Sequence, residues 1–199
     1  MPCAGVKAFG PWLLLNMNDP LEHLLLEHRD ILAQAAGLRK AVAELDARGE
    51  AALPDALPLL ARVGRMMETQ LALHARKEDE ALFPALEAIF GVDGSPTCVM
   101  RQEHQEIHGQ GELLRRTLHE LNEVEHPRLR AGGARLQELV MSSGSVDTLK
   151  TTAVEIIQLL DGHFGKEEQI LFPMAQNLLD EAALAEVGRK IEALLSPGS

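Results

Sequence analysis

The chain has no tyrosine, one tryptophan and an aromatic content of only 3%. Strands draw on aromatic and β-branched residues. Their scarcity, against plentiful Ala, Leu, Glu and Gln, argues for helices and against a sheet. Cysteine is nearly absent. Cys3 and Cys98 stand far apart, which excludes a disulfide framework and any Cys-x-x-Cys zinc pattern and suits two reduced thiols in the cytoplasm. No run approaches the ~18 apolar residues of a membrane span. The short apolar stretch from Trp12 to Leu15 is too brief for a signal-peptide core, and no small-residue cleavage site follows it. Positive charge is also in short supply, with 19 Lys and Arg against 30 Asp and Glu, a net charge of −11. Such a surface repels phosphate backbones and anionic lipid, so neither nucleic acid nor a membrane is expected as a partner.

What remains is a chain of 199 residues, 46% of them apolar, enough for one core and one domain. Residues 1–19 are expected to form an N-terminal extension and 20–195 the domain. Asp19 and Pro20 open the first helix, whose Leu21, Leu24, Leu25, His28, Ile31, Leu32, Ala35, Leu38 and Val42 recur at helical spacing. It should end near Gly49. A second helix starts at about Pro54, with Pro84 as a kink or last-turn residue. Gly91 to Pro96 is a loop. A third helix runs from Pro96 to about Asn122, followed by a loop over 123–133 and a short helix over 134–142. After a break at Ser142 to Ser145, a fourth long helix begins near Val146 and passes Phe172. Asp180 caps a terminal helix, 181–195.

Two segments repeat one pattern. His74, Lys77, Glu78, Asp79, Leu82, Phe83 and Pro84 correspond to His163, Lys166, Glu167, Glu168, Leu171, Phe172 and Pro173. A spacing of 89 residues is too long for a solenoid. It fits two helical hairpins related by a pseudo-twofold axis, each supplying half of one central site.

Residues four apart share a helix face. Three helices carry such pairs of potential metal ligands, His74/Glu78, His104/His108 and His163/Glu167, and the first carries His28 on its apolar stripe. Five imidazoles and two carboxylates exceed what one tetrahedral zinc uses, and they suit two ions of higher coordination number bridged by carboxylates. Buried imidazoles and carboxylates without partners cost several kcal/mol each, so their place on apolar faces calls for a cation. Asp79 and Glu168 could orient ligands from outside. Glu27 and Glu103 each precede a ligand by one residue and so leave its helix face. His23, His119 and His126 are expected at the surface, and Met66, Met67 and Met100 in the core. Phe83 and Phe172 are expected beside the metals.

An isolated His, then His-x-x-x-Glu, His-x-x-x-His and His-x-x-x-Glu in that order, with Leu-Phe-Pro after each Glu motif, resembles the hemerythrin-like family, the HHE cation-binding domain. The resemblance covers about 20–180. It implies an all-α, up-down-up-down four-helix bundle, here with an extra C-terminal helix, around two iron ions with an oxo or hydroxo bridge. By motif position His104, His108 and His163 would bind one iron and His28 and His74 the other, with Glu78 and Glu167 bridging. The second iron, with fewer histidines, would be open to O2, NO or peroxide. The oxygen carriers of the family have an Asp five positions after the last His, where this chain has Glu168, so reversible O2 transport is not implied. The tyrosine ligand of some members has no counterpart here. A ferritin-like site would need two Glu-x-x-His motifs; the chain has one, Glu123 to His126, beside Pro127.

Three functions fit these residues: a protein that binds or senses a small ligand, a redox enzyme acting on peroxide or NO, and iron delivery or iron–sulfur cluster repair. Only one cysteine, Cys3, lies in the short N-terminal segment, which weakens the repair reading.

Overall fold

A computed structural model describes residues 19–121 and 135–196, with the backbone alone for 135–145. All of the expected extension but Asp19, including Cys3, and the loop that holds His126 lie outside the described residues. No strand occurs among the described residues.

Helix α1 is Pro20–Arg48. The Asp19 carboxylate accepts from the backbone N–H of Leu21 and Glu22, and Gly49, at φ 57°, ends the helix. A single 3₁₀ turn, Gly49–Ala52, leads into α2, which runs without interruption over 53–90. Gly91, at φ 84°, stops it. Helix α3 is Pro96–Glu120, with Ser95 capping through the N–H of Cys98. Helix α4 covers 135–178 and α5 is Glu181–Leu195, capped by Asp180.

The expected break at Ser142 to Ser145 does not occur, nor does a separate short helix before it. The backbone is helical throughout Arg135–Lys166. Ser and Gly lower helix propensity by less than about 1 kcal/mol each, which the rest of a long helix readily overrides.

Pro84 and Pro173 do not end their helices either. Each follows a π-helical turn, Glu78–Leu82 in α2 and Glu167–Leu171 in α4. A π-turn widens the hydrogen-bond register by one residue, so the helix continues past a proline that offers no N–H. Each turn begins at one of the two glutamates that the sequence singles out.

Ion pairs and hydrogen bonds fix the directions. Between α1 and α2 they join Gln34 to Gln70 and Arg48 to Asp55. Between α1 and α4 they join Arg39 to Asp161 and Asp46 to Lys150, and between α2 and α3, Glu68 to Arg115 and Glu87 to Arg101. Every pairing is antiparallel, which makes an up-down-up-down bundle. Two apolar clusters fill it. One holds Ile31, Leu38, Leu60, Leu114, Leu149 and Leu160. The other holds Leu21, Leu24, Phe83, Leu86 and Phe172, and α5 closes it with Val187 and Ile191. Met66, Met67 and Met100 are core residues, 3–6% exposed. Between the clusters lies a layer of buried polar side chains. No described helix is long and apolar enough to cross a membrane.

Candidate metal centre

The polar layer gathers six of the seven candidate ligands. His28, Glu78 and Glu167 are 0% exposed, His74 1% and His163 2%. His104 is 8% exposed along its side chain. The structure does not bring His108 to them. It lies exposed on α3, one turn beyond His104.

Two sets of ligand atoms form, each with its members within 4.8 Å of one another: His28, His74, Glu78 and Glu167, and His104, His163, Glu78 and Glu167. Both glutamates belong to both sets, one oxygen on each side. Glu78 Oε1 is 3.5 Å from His74 Nε2 and Oε2 is 3.3 Å from His104 Nε2. Glu167 Oε2 is 3.2 Å from His28 Nε2 and Oε1 is 3.2 Å from His163 Nε2.

The outer nitrogen of each histidine is held by an acid from a neighbouring helix. His74 Nδ1 donates to Glu27 at 3.0 Å and His104 Nδ1 to Asp79 at 3.1 Å. His163 Nδ1 donates to Glu103 at 3.0 Å and His28 Nδ1 to Glu168 at 2.9 Å. The acids form a closed sequence around the bundle, α1 to α2, α2 to α3, α3 to α4 and α4 to α1. An ionised carboxylate only accepts, so a hydrogen sits on Nδ1 and each Nε2 faces inward, where its lone pair can meet a proton or a cation. Asp79 and Glu168 thus do what their positions suggested.

Glu27 and Glu103 were not legible as partners. Leaving the face of the adjacent histidine is what aims each at the next helix. The lysine of the repeat completes the pattern: Lys77 Nζ pairs with Glu27 and Lys166 Nζ with Glu103. His23 is a correction. It is only 20% exposed, and its Nε2 lies 3.1 Å from the wholly buried Lys77 and 3.3 Å from Glu27. A buried ammonium needs partners, and α1 supplies both. His119 is exposed as expected. Phe83 and Phe172 do stand beside the site, stacked on His104 and His28 at 5.7 and 5.4 Å. Arg101, not singled out from sequence, holds Asp79 and Glu87 and lies over the Phe83 ring.

The electrostatics are those of a cluster short of positive charge. Burial pushes Glu78 up, against the pull of His104. Burial and the charge of Glu78 push Glu167 up to about 7. Burial works against a charged His104, yet its contacts with Asp79 and Glu78 raise it to about 10. Burial, helped by the charge of His104, His74 and His28, lowers His163 to about 2. Burial tends to raise Glu27 too, but hydrogen bonds to His23 and His74 win and hold it far below the usual carboxylate range.

Both oxygens of Glu78 and Glu167 and the Nε2 atoms of His104 and His163 are buried without a hydrogen-bond partner. Lone pairs face lone pairs there, and only a proton or a cation relieves that. His28 Nε2 and His74 Nε2 are 3.0 Å apart. Two nitrogens each about 2.1 Å from one ion, at right angles, stand about 3.0 Å apart. The donor set therefore fits two cations sharing two carboxylates.

Fold and site together define a helical bundle built around a candidate cation-binding centre. The model of the hemerythrin HHE cation binding domain matches residues 19–125 and again 117–194, and the chain belongs to that family. No curated protein matches the chain.

Proposed function

We propose that the chain is a non-haem di-iron protein that binds or senses a small ligand, O2, NO or peroxide, at an iron of the pair. The observation that carries this reading is the sharing of Glu78 and Glu167 between two otherwise separate sets of ligand atoms. His28 and His74 would hold one iron and His104 and His163 the other, with Glu78 and Glu167 shared between them and an oxo or hydroxo group completing the pair. His108, which the family pattern would add, stands outside both sets. When bound, the pair supplies redox-active coordination of the small ligand. The chain's own residues fix four imidazoles through Nδ1, bury the ligand atoms and hold two carboxylates where metal would compensate their charge. The wide spacing of Cys3 and Cys98 supports a cytoplasmic setting.

Elemental analysis of protein from iron-replete cells tests this. Two irons per chain are expected, with the near-ultraviolet absorption of a bridged pair that changes on adding O2, NO or peroxide. One metal per chain at full occupancy would overturn it.

A further inference from the structure

Helix α5 covers one half of the pseudo-twofold bundle and leaves the other half bare. It packs on α1 and on the 72–82 stretch of α2, with Val187 and Ile191 in the cluster that holds Leu21, Leu24 and Ala81. Lys77 and Ala81 on that side are 0% exposed. The repeat places Lys166 and Ile170 at the matching positions of α4, and Glu103 at that of Glu27. There Lys166, still paired with Glu103, is half-exposed and Ile170 is 54% exposed.

Val99 stands one turn before Glu103 on α3 and is 46% exposed. Ile170 stands one turn beyond Lys166 on α4. The two helices run antiparallel, so both residues lie on the same side of the Glu103–Lys166 pair, toward the end of the bundle where α1 starts. Two bare apolar side chains therefore occupy the groove whose counterpart seats α5. A stable dimer buries about 800 Å² on each partner, far more than two side chains offer, so a short segment suits the groove better than a second copy.

We propose that residues 8–17 of this chain dock in the α3–α4 groove, on Val99 and Ile170. Residues 1–18, outside the described residues, contain Phe9, Trp12, Leu13, Leu14, Leu15 and Met17, and their only charged side chain is Lys7. That apolar content matches the bare pair. A segment with no acid also suits a chain of net charge −11, whose α3 carries Glu103 and the exposed Glu106 here. The reach is sufficient. Asp19, where the segment joins α1, lies at the same end of the bundle, and α1 adjoins α4 through His28 and Glu168. From Trp12 to Asp19 the chain spans up to about 24 Å when extended. Only the width of α4, about 10–12 Å, separates α1 from the groove.

Trp12 is the one tryptophan in the sequence, so the intrinsic fluorescence of the full chain reports on this segment alone. Its emission should lie to the blue of N-acetyl-tryptophanamide and be shielded from acrylamide. Val99→Gln and Ile170→Gln, both at exposed positions, should each shift the emission to the red and raise quenching, with the helical circular dichroism and metal content unchanged. Val154→Gln, at an exposed valine about four turns back along α4, should leave Trp12 as in the wild type. A wild-type emission equal to that of the free amide overturns the proposal. So does a shielded Trp12 indifferent to both groove substitutions, which would put the segment elsewhere. Shielding that disappears on dilution together with a dimer in sedimentation also overturns it, in favour of a second copy. If one groove variant fails to fold, the other decides by the same shift or its absence.

Discussion

Stripping the metal should make the protein's stability fall steeply with alkali, and the His104–Glu78 contact is the reason. In the metal-free centre a proton on His104 faces Asp79 and Glu78, which hold its pKa at about 10, well above the ordinary imidazole value of 6.5. A base whose folded pKa is raised contributes stability that is complete below its unfolded pKa and is lost as pH rises through the folded one. The window is therefore pH 6.5 to about 10, and the slope is about 1.4 kcal/mol per pH unit. Between pH 7 and 9 the metal-free protein should lose roughly 2–3 kcal/mol, which for a chain of this size lowers Tm by roughly 5–10 °C. Glu78, also pushed up by burial, adds to the loss with the same sign, whereas the raised pKa of Glu167, about 7, acts mainly below this window. The low pKa of His163 raises stability with pH only up to its unfolded value, also below the window. With metal bound, the cation takes the place of the proton and the slope should vanish. Urea unfolding with chelator and with metal, at pH 7, 8 and 9, measures both. Parallel curves for the two forms would refute the idea that a proton on His104 and a cation compensate the same carboxylates.

Glu78→Ala and Glu167→Ala should each cost the protein at least one of its two metals and lower Tm, because two cations would then face each other with one bridging carboxylate fewer; full metal content and an unchanged Tm in both would end the bridging assignment. Glu27→Gln and Glu103→Gln should weaken metal affinity by roughly 10–100-fold, read by competition with a chromophoric chelator; wild-type affinity would show that the Nδ1 contacts are incidental. His119→Ala should shift stability by less than about 0.5 kcal/mol, whereas His23→Ala should lower Tm measurably by removing a partner of the buried Lys77 ammonium. Equal Tm values for these two would discount the Lys77 contact. His108→Ala should retain two metals, and loss of one would bring His108 back into the ligand set.

The fold was largely open to reading from sequence, because the helix periodicity is long and the caps at Asp19, Ser95 and Asp180 are plain. Ser142 to Ser145 misled because local propensity was taken for a break within a helix that covers 135–166. The ligand pairs on α2 and α4 and His28 were legible, since spacing of four on one face is a property of a single helix. Contacts between helices were not. Glu27 and Glu103 look idle on α1 and α3 and acquire a partner only when the next helix is placed. The pair His104/His108 shows the same limit from the other direction. Spacing puts both on one side of α3, but rotation of the helix in the bundle buries the first and exposes the second. The π-turns at Glu78 and Glu167 left only an indirect trace, the proline that follows each.

The ring of acids and histidines has a twofold order. Glu27 to His74 lies within the first hairpin and Glu103 to His163 within the second, while Asp79 to His104 and Glu168 to His28 cross between them. The internal links and the crossing links are each other's images. A lone hairpin bearing Glu-His on one arm and His-x-x-Lys-Glu with a following acid on the other would carry every contact needed to close the same ring with its own twin. In a single chain the two halves need not match at every position, and Phe164 follows His163 where Ala75 follows His74.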